Sequence, residues 1–491
     1  MTQRVQSLIY RRLRGLLVGS KIQKGSLESF SEPRDYWPLL QQNIARVEEL
    51  TRSQAFSALT KVLCEYTGID SSRMTAIASR QLLVANESGE EAFAYRPLGV
   101  WFHLLGWLSV AAIRRLIHRP DSEPVALLFG DWGSGGTDGS RYKALIREAD
   151  RRGITSCVID LDAEKSCTTI SALRSVPTVL RAFSKLRQVQ KELGLNAHWI
   201  AASVMREHLI GSGWTAHYKA GVLFTALDNG NLYVRANAAN LTLVLAQNGC
   251  RSGSDACYIV SDHYLALEPL DYGGCLLSET GRFRAHQAGS LALANYWTTR
   301  PAAASARHSD ILWVSDFPPP DEWDQFDRDS KHVTPLNDFV ASLHAFLEFA
   351  KKHEMRAAFF PRWPGEYDAI KARGVDLEGV HCFDRSSLSV YEAMTKADLV
   401  LSSFSTVAFE AMMIKKPVGF IFLTANHGFN QFARQQHLLF DGNGENLAEF
   451  LEGLPLHQPL DGPFVIAPEQ TLQIMIDVVS EALVERPAAG S

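Results

Sequence analysis

From about residue 121 onward the chain is a succession of short apolar runs that do not alternate with polar residues. The clearest are 125–131, 156–162, 241–246, 256–261, 310–315, 356–360, 380–383, 398–404 and 417–423, with a shorter one near Cys275. A strand that is apolar along its whole length is covered on both faces, which is the condition of a parallel sheet. Between the runs, segments at 141–152, 176–193, 335–354, 387–396 and 406–416 carry apolar residues at helical spacing. Strand and helix in alternation predict right-handed βαβ units. An alanine-rich stretch, Arg300-Pro-Ala-Ala-Ala-Ser-Ala-Arg307, separates two such series and reads as a link between domains. The predicted fold class is α/β: two doubly wound Rossmann-like domains facing each other, preceded by an N-terminal helical segment. Ligands are expected at the carboxyl ends of the strands. The predicted boundaries are 1–120 for the helical segment, 121–305 and 306–470 for the two domains, and 471–491 for a crossover helix and tail. The helix of that last part, 471–484, is expected to pack back across the pair.

The first segment has a different texture. Residues 4–24 hold six basic residues and no acid, with apolar residues at helical spacing, so a helix there would lie on an anionic membrane face. The run 98–113 is apolar for 16 residues, short of the roughly 20 that span a bilayer. It reads either as a buried helix or as one seated in a membrane face, and Pro120 closes it. The opening residues lack the sustained apolar stretch of a signal peptide. Seven cysteines without a CxxC pair or Cys/His metal spacing are expected to be reduced, buried and cytosolic. The expected location is the cytoplasm, peripheral to the inner face of the plasma membrane.

Composition narrows the function. With 491 residues, 46% hydrophobic and 21% charged, the chain can bury two large cores and has no signature of disorder. A net charge of -5 argues against nucleic acid as a partner.

The densest chemistry lies in 397–420, where a buried strand runs into Ser402, Ser403, Ser405 and Thr406 at the start of a helix. Unpaired amides and the positive end of the helix dipole attract an anion there, which makes a phosphate cradle without a P-loop. Glu410 follows one turn deeper, where a carboxylate accepts hydrogen bonds from a ribose. The plainer reading is N-capping by Ser405 or Thr406, with Glu410 a solvated helix residue.

This segment resembles the donor-binding half of GT-B glycosyltransferases, particularly those that build bacterial surface polysaccharides such as capsule and lipopolysaccharide. The resemblance extends to Leu245-Ala-Gln-Asn-Gly249, Asp262-His-Tyr264 and Gly281-Arg282, and covers roughly 121–470. It implies a nucleotide-sugar donor held between the domains, with Gln247 and Asn248 in the cleft, a glycan or lipid-linked acceptor, and no separate cofactor. Phe360-Pro-Arg-Trp-Pro-Gly-Glu366 stands where some relatives carry His-Pro; Trp363 replaces that histidine, so no His-to-phosphate contact carries over. Arg362 suits a diphosphate as a guanidinium fork, or is a surface arginine at a strand end. Phe383 either stacks a nucleobase or belongs to the core.

The first domain is expected to supply the acceptor side. Gly130-Asp-Trp-Gly-Ser-Gly-Gly-Thr-Asp-Gly-Ser140, with Gly135 and Gly136 at its centre, lets the backbone approach a ligand but matches neither GxGxxG nor the P-loop. Asp131 or Asp138 is the expected general base, with His263 in reserve. Asp160-Leu-Asp162 has the spacing of a metal-binding DxD, yet it caps a strand, and no metal is expected. Two other activities suit the same architecture: polyol-phosphate transfer from a CDP-alcohol, and UDP-sugar 2-epimerisation. A non-catalytic polysaccharide-assembly scaffold is the alternative outside enzymology.

Overall fold

The computed structural model describes residues 51–87, 125–131, 140–161, 197–214, 220–226, 232–249, 259–267, 282–300, 309–315, 336–402, 405–422, 439–441, 447–453 and 466–485, with Glu49, Leu186 and Tyr218. The helices among them are α1 (Gln54–Thr67), α2 (Ser71–Glu87), α3 (Lys143–Arg151), α4 (Ala197–Trp214), α5 (Leu232–Ala238), α6 (Leu291–Thr299), α7 (Leu336–Lys352), α8 (Glu366–Ala372), α9 (Val390–Thr395), α10 (Thr406–Met413), α11 (Leu447–Gly453) and α12 (Pro468–Glu485). The first sheet comprises β1 (Leu127–Asp131), β2 (Ser156–Asp160), β3 (Val222–Thr225), β4 (Thr242–Ala246), β5 (His263–Ala266) and β6 (Arg284–Gln287). The second comprises β7 (Ser309–Val314), β8 (Ala357–Phe360), β9 (His381–Cys382), β10 (Ala397–Ser402), β11 (Val418–Phe422) and β12 (Leu439–Asp441).

All the strand pairings are parallel, in the orders β2-β1-β3-β4-β5-β6 and β12-β11-β10-β7-β8-β9. Read from β9, the second order is that of a Rossmann sheet, while the first follows the flavodoxin-like order; both are doubly wound, as expected. Parallel strands need cover on both faces, and alternate residues of the first sheet supply it. Leu128, Leu223, Leu243 and Tyr264 pack toward α1 and α4, while Phe129, Phe224, Val244 and Leu265 pack toward α3, α6 and α12. A separate core surrounds Trp313, Phe359, Val400 and Phe420 of the second sheet.

The first core reaches further toward the N-terminus than the boundary at residue 120 implies. Ser53 caps α1 by accepting from Phe56 N at 3.1 Å, and Gly68, at φ 71°, ends it. Phe56, Leu59 and Leu63 then share one core with Leu128, Leu223 and Leu243, so α1 and α2 belong to the first domain. Arg73 adds a tether, donating Nε to Arg282 O at 3.3 Å. Among the described residues, α12 packs on the first domain. It buries Met475, Ile476, Val479 and Ala482 against the first sheet and its helices.

One crossing in this domain is unusually close. Arg235 of α5 is buried at 1% exposure and donates twice to the Glu207 carboxylate of α4, at 2.8 and 2.6 Å. One turn along, Gly211 meets the Arg235 carbonyl, and no side chain fits between them.

Three strands were not anticipated, namely β3, β6 and β12, and one was misplaced. Residues 259–261 are not strand; β5 begins at His263. For β6 the cause is visible: Arg284-Ala-His-Gln287 is polar and only partly covered, so an apolar-run criterion passes over it. β3 is apolar and fully buried, and was missed because its apolar run is only three residues long. Among the described cysteines, Cys157 is exposed and Cys64 and Cys382 are partly buried, against the expectation that all are buried. The segments 1–24, 98–113 and 176–193 and the neighbourhood of Cys275 lie outside the described residues. Among the described residues no helix is long and apolar enough to cross a membrane.

Candidate functional site

The second sheet changes its direction of growth between β7 and β10, and the loops leaving those two strands part to opposite faces. Side chains at this fork set up the start of α10. Ser402, fully buried, donates Oγ to Val314 O at 2.9 Å and accepts from Ser405 N at 3.2 Å, which ties the two strand ends together. Ser405 has the extended backbone of an N-cap, φ -74° and ψ 134°, and its Oγ accepts from Val407 N at 3.3 Å. The positive end of α10 is thereby fixed over the crevice. Thr406 opens the helix, and its hydroxyl would stand 3.3 Å from a methyl group placed on Gly249. The hydroxyl-lined opening therefore faces the carboxyl end of β4 in the other domain. Ser403 lies outside the described residues.

Gln247 holds the opposing wall. Its Nε2 donates to Gly249 O at 2.8 Å and its Oε1 accepts from Leu267 N at 2.8 Å, so a buried amide clamps the turn after β4 to the end of β5. Its role is support, and it is Asn248 that is exposed.

Glu410 is not a solvated helix residue. It is buried at 4% exposure, and Oε1 accepts from the Ser290 hydroxyl and from Tyr391 OH, the latter at 3.2 Å. Burial pushes its carboxyl up to about 7, against the pull of the two hydroxyl donors. Burial and this neighbouring carboxyl in turn push the Tyr391 phenol well above its usual range. Ser290 caps α6 of the first domain and accepts from Leu293 N at 3.1 Å, so Glu410 reaches across the domain boundary.

Arg362 is exposed in the turn after β8, on the same carboxyl edge as α10. Its backbone amide and that of Trp363 both donate to the Glu366 carboxylate, which also accepts from Ser315 Oγ. Glu366 is fully buried and shapes the turn that presents the guanidinium. Phe383 is core: at 7% exposure it packs on Phe360 with centroids 6.0 Å apart, and no base can stack on it without opening that core.

In the first domain Asp131 ends β1 on the carboxyl edge, buried, with Arg141 Nη1 at 3.8 Å. It stands two strands from β4, about 10 Å along the edge at the usual strand spacing. The fork of this sheet, between β1 and β3, is closed by Tyr142. Its hydroxyl donates to Gly130 O at 2.7 Å and accepts from Ala226 N at 3.3 Å. Asp138, Gly135 and Gly136 lie outside the described residues.

His263 does not join this edge. It is the first residue of β5, hence at the opposite, amino end of the sheet, where it stacks on His286 and faces Glu485 of α12 at 3.5 Å. The misplaced strand explains the error, since a run ending at residue 261 puts His263 just past a carboxyl end. Asp160 pairs with Asp131 in the ladder, and among the described residues no group of three or more His, Cys, Asp or Glu is placed to hold a metal ion.

Ser290, Tyr391, Tyr142 and Glu366 were not singled out as site residues from the sequence. Ser290 had a readable signal, a serine immediately before an apolar helical run. The others had none at the level of spacing.

No protein-family model matches the chain, and no curated protein sequence matches it. Among solved structures it is similar to a Listeria monocytogenes protein assigned as a UDP-N-acetylglucosamine 2-epimerase, with 13% identity over 75% of this chain and 98% of that one, at a TM-score of 0.47. A UDP-GlcNAc 2-epimerase from Neisseria meningitidis, solved with UDP-GlcNAc, gives 13% identity, coverage of 74% and 100%, and a TM-score of 0.43. The wall teichoic acid polymerase TagF gives 10% identity, coverage of 80% and 99%, and a TM-score of 0.39. At identities of 10–13% and TM-scores below 0.5, these likenesses say nothing of what this chain binds or does.

Proposed function

We propose that the protein is a metal-independent glycosyltransferase that takes a sugar from a nucleotide-sugar donor and delivers it to a glycan or lipid-linked acceptor in surface polysaccharide synthesis. The observation that carries this reading is the opening of α10. A capped helix start at the fork of a Rossmann-like sheet faces Gly249 of a second such domain across the boundary. An anion placed there meets the positive end of the helix dipole, and the exposed Arg362 offers a guanidinium fork from the same edge. As the glycosidic bond breaks, charge develops on the departing phosphate, and preorganised positive groups stabilise that charge more than the ground state. Asp131, two strands from Gly249 on the facing edge, takes the proton of the acceptor hydroxyl. Tyr142 fills the fork of the first sheet, which leaves the nucleotide to the second domain.

The test is a thermal-shift panel of UDP, GDP, CDP and CMP and their sugars against the wild type and Arg362→Ala. One nucleotide is expected to stabilise the wild type, by about 2.7 kcal/mol at a hundredfold excess over Kd. Arg362 is exposed, and its removal is expected to weaken binding by about tenfold or more, with the ligand-free melting temperature as the control for folding. No shift with any nucleotide overturns the proposal, and equal shifts remove Arg362 from the site. Product analysis without acceptor separates transfer from epimerisation at C2 of the sugar.

A further inference from the structure

The Glu410 carboxyl sits one turn below the proposed phosphate cradle and is sealed from solvent, with both hydroxyl donors on the same oxygen, Oε1. Its partner Ser290 is equally fixed. The Ser290 side chain is 3% exposed, and Gly289 before it adopts φ 81°, a left-handed turn in which a side chain would come 2.6 Å from Thr471 Oγ1 of α12. The helix that Ser290 caps is anchored to the first domain through Asn295. Its Oδ1 accepts from Ala144 N at 2.9 Å, and its Nδ2 donates to Ser140 O at 3.0 Å. On the same helix Tyr296 packs on Tyr391 with centroids 5.5 Å apart, so α6 grips the second domain at two points. Turning the Ser290 hydroxyl off Glu410 would also remove its cap from Leu293 N, and room for a second hydroxyl on Oε1 requires α6 and α10 to move apart.

We infer that the Ser290 hydroxyl occupies, in the nucleotide-free protein, the place on Glu410 that a ribose hydroxyl of the donor takes, so that this interdomain bond and donor binding exclude one another. The inference rests on the nucleotide-sugar reading proposed above and specifies how that site is regulated. The chemistry is like for like: a neutral alcohol bound to one carboxyl oxygen is exchanged for another neutral alcohol. Ser290 is a positioning residue in this scheme. Its bond to Glu410 holds the pair of domains in one arrangement, and binding has to overcome that bond.

Two variants test it, because Ser290 also caps α6. Ser290→Ala removes both the hydroxyl and the cap; Ser290→Gly removes the hydroxyl while glycine still serves as an N-cap at little cost. Isothermal titration is run with the nucleotide that shifts the wild type most, and small-angle scattering is recorded with and without it. Both variants are expected to bind about fivefold to tenfold more tightly than the wild type, the equivalent of one hydrogen bond no longer broken. Their ligand-free radius of gyration should also move toward that of the nucleotide-saturated wild type. Equal or weaker binding by both variants overturns the exclusion and leaves the proposed function standing. Absence of binding by wild type and variants alike overturns both.

Discussion

Gly211→Ala is expected to cost the first domain more than about 3 kcal/mol of stability. A methyl group on Gly211 would lie 2.0 Å from the Arg235 carbonyl oxygen, 2.8 Å from its carbon and 2.9 Å from the Ala238 methyl. Van der Waals separation would require α5 to retreat by about 1.5 Å. That retreat is opposed by the ion pair just beside it, where the buried Arg235 guanidinium is held by Glu207 at 2.6 and 2.8 Å and by Leu161 O at 3.0 Å. Alanine in a helix interior normally gains about 1 kcal/mol over glycine. Here that gain is outweighed, because the obstacle is backbone and the neighbouring charge cannot be left without its partner. A net loss above about 3 kcal/mol is expected, a large share of the stability of an ordinary domain. Gly453→Ala is the control: nothing lies within 4 Å of a methyl group there, and the substitution should be neutral or mildly stabilising. Urea melts of the two variants decide the matter, and a Gly211→Ala midpoint equal to that of the wild type would refute the close crossing.

Glu410→Gln is expected to make the protein more stable than the wild type by about 3 kcal/mol at pH 8 and by only about 1 kcal/mol at pH 5. The wild-type carboxyl is raised by burial to about 7, whereas in the unfolded chain it titrates near 4.5. Between those values the folded state holds the proton more tightly, so stability falls as pH rises and levels off above about 7. A rise of this size corresponds to about 3 kcal/mol. Glutamine keeps an acceptor for Ser290 and Tyr391 yet carries no charge at any pH, so it escapes that loss. Denaturation followed at the two pH values measures it. A difference between variant and wild type that is the same at pH 5 and pH 8 would show that the carboxyl does not titrate in this range.

The second of these residues illustrates how far the sequence could be read. That residue 410 stands one turn into a helix after a hydroxyl-rich strand end follows from spacing, because the strand is uniformly apolar and the caps are serine and threonine. That its partner is Ser290 does not follow. The two lie 120 positions apart and in different domains, and only the closure of the fold brings them together. Phe383 shows the same limit, since a lone aromatic at a strand end fits a core or a stacking platform equally well until its neighbour Phe360 is known. Most strands buried on two faces were legible, but not all: β3, Val222-Leu-Phe-Thr225, is central and fully buried and was passed over, its apolar run being only three residues long. At the edge β6 carries arginine, histidine and glutamine, and a strand misplaced by a few residues moved His263 to the wrong end of the sheet.

The placement of α12 bears on how the chain is made. It covers Phe129, Phe224, Val244 and Leu265 of the first sheet, yet the entire second sheet lies between it and β6 in sequence. As the nascent polypeptide leaves the ribosome, one flank of the earlier-synthesised half is covered by α3 and α6 alone while the later half emerges complete. The half translated second is thus free to mature first, and the half translated first has to be kept from aggregating until residues 468–485 arrive.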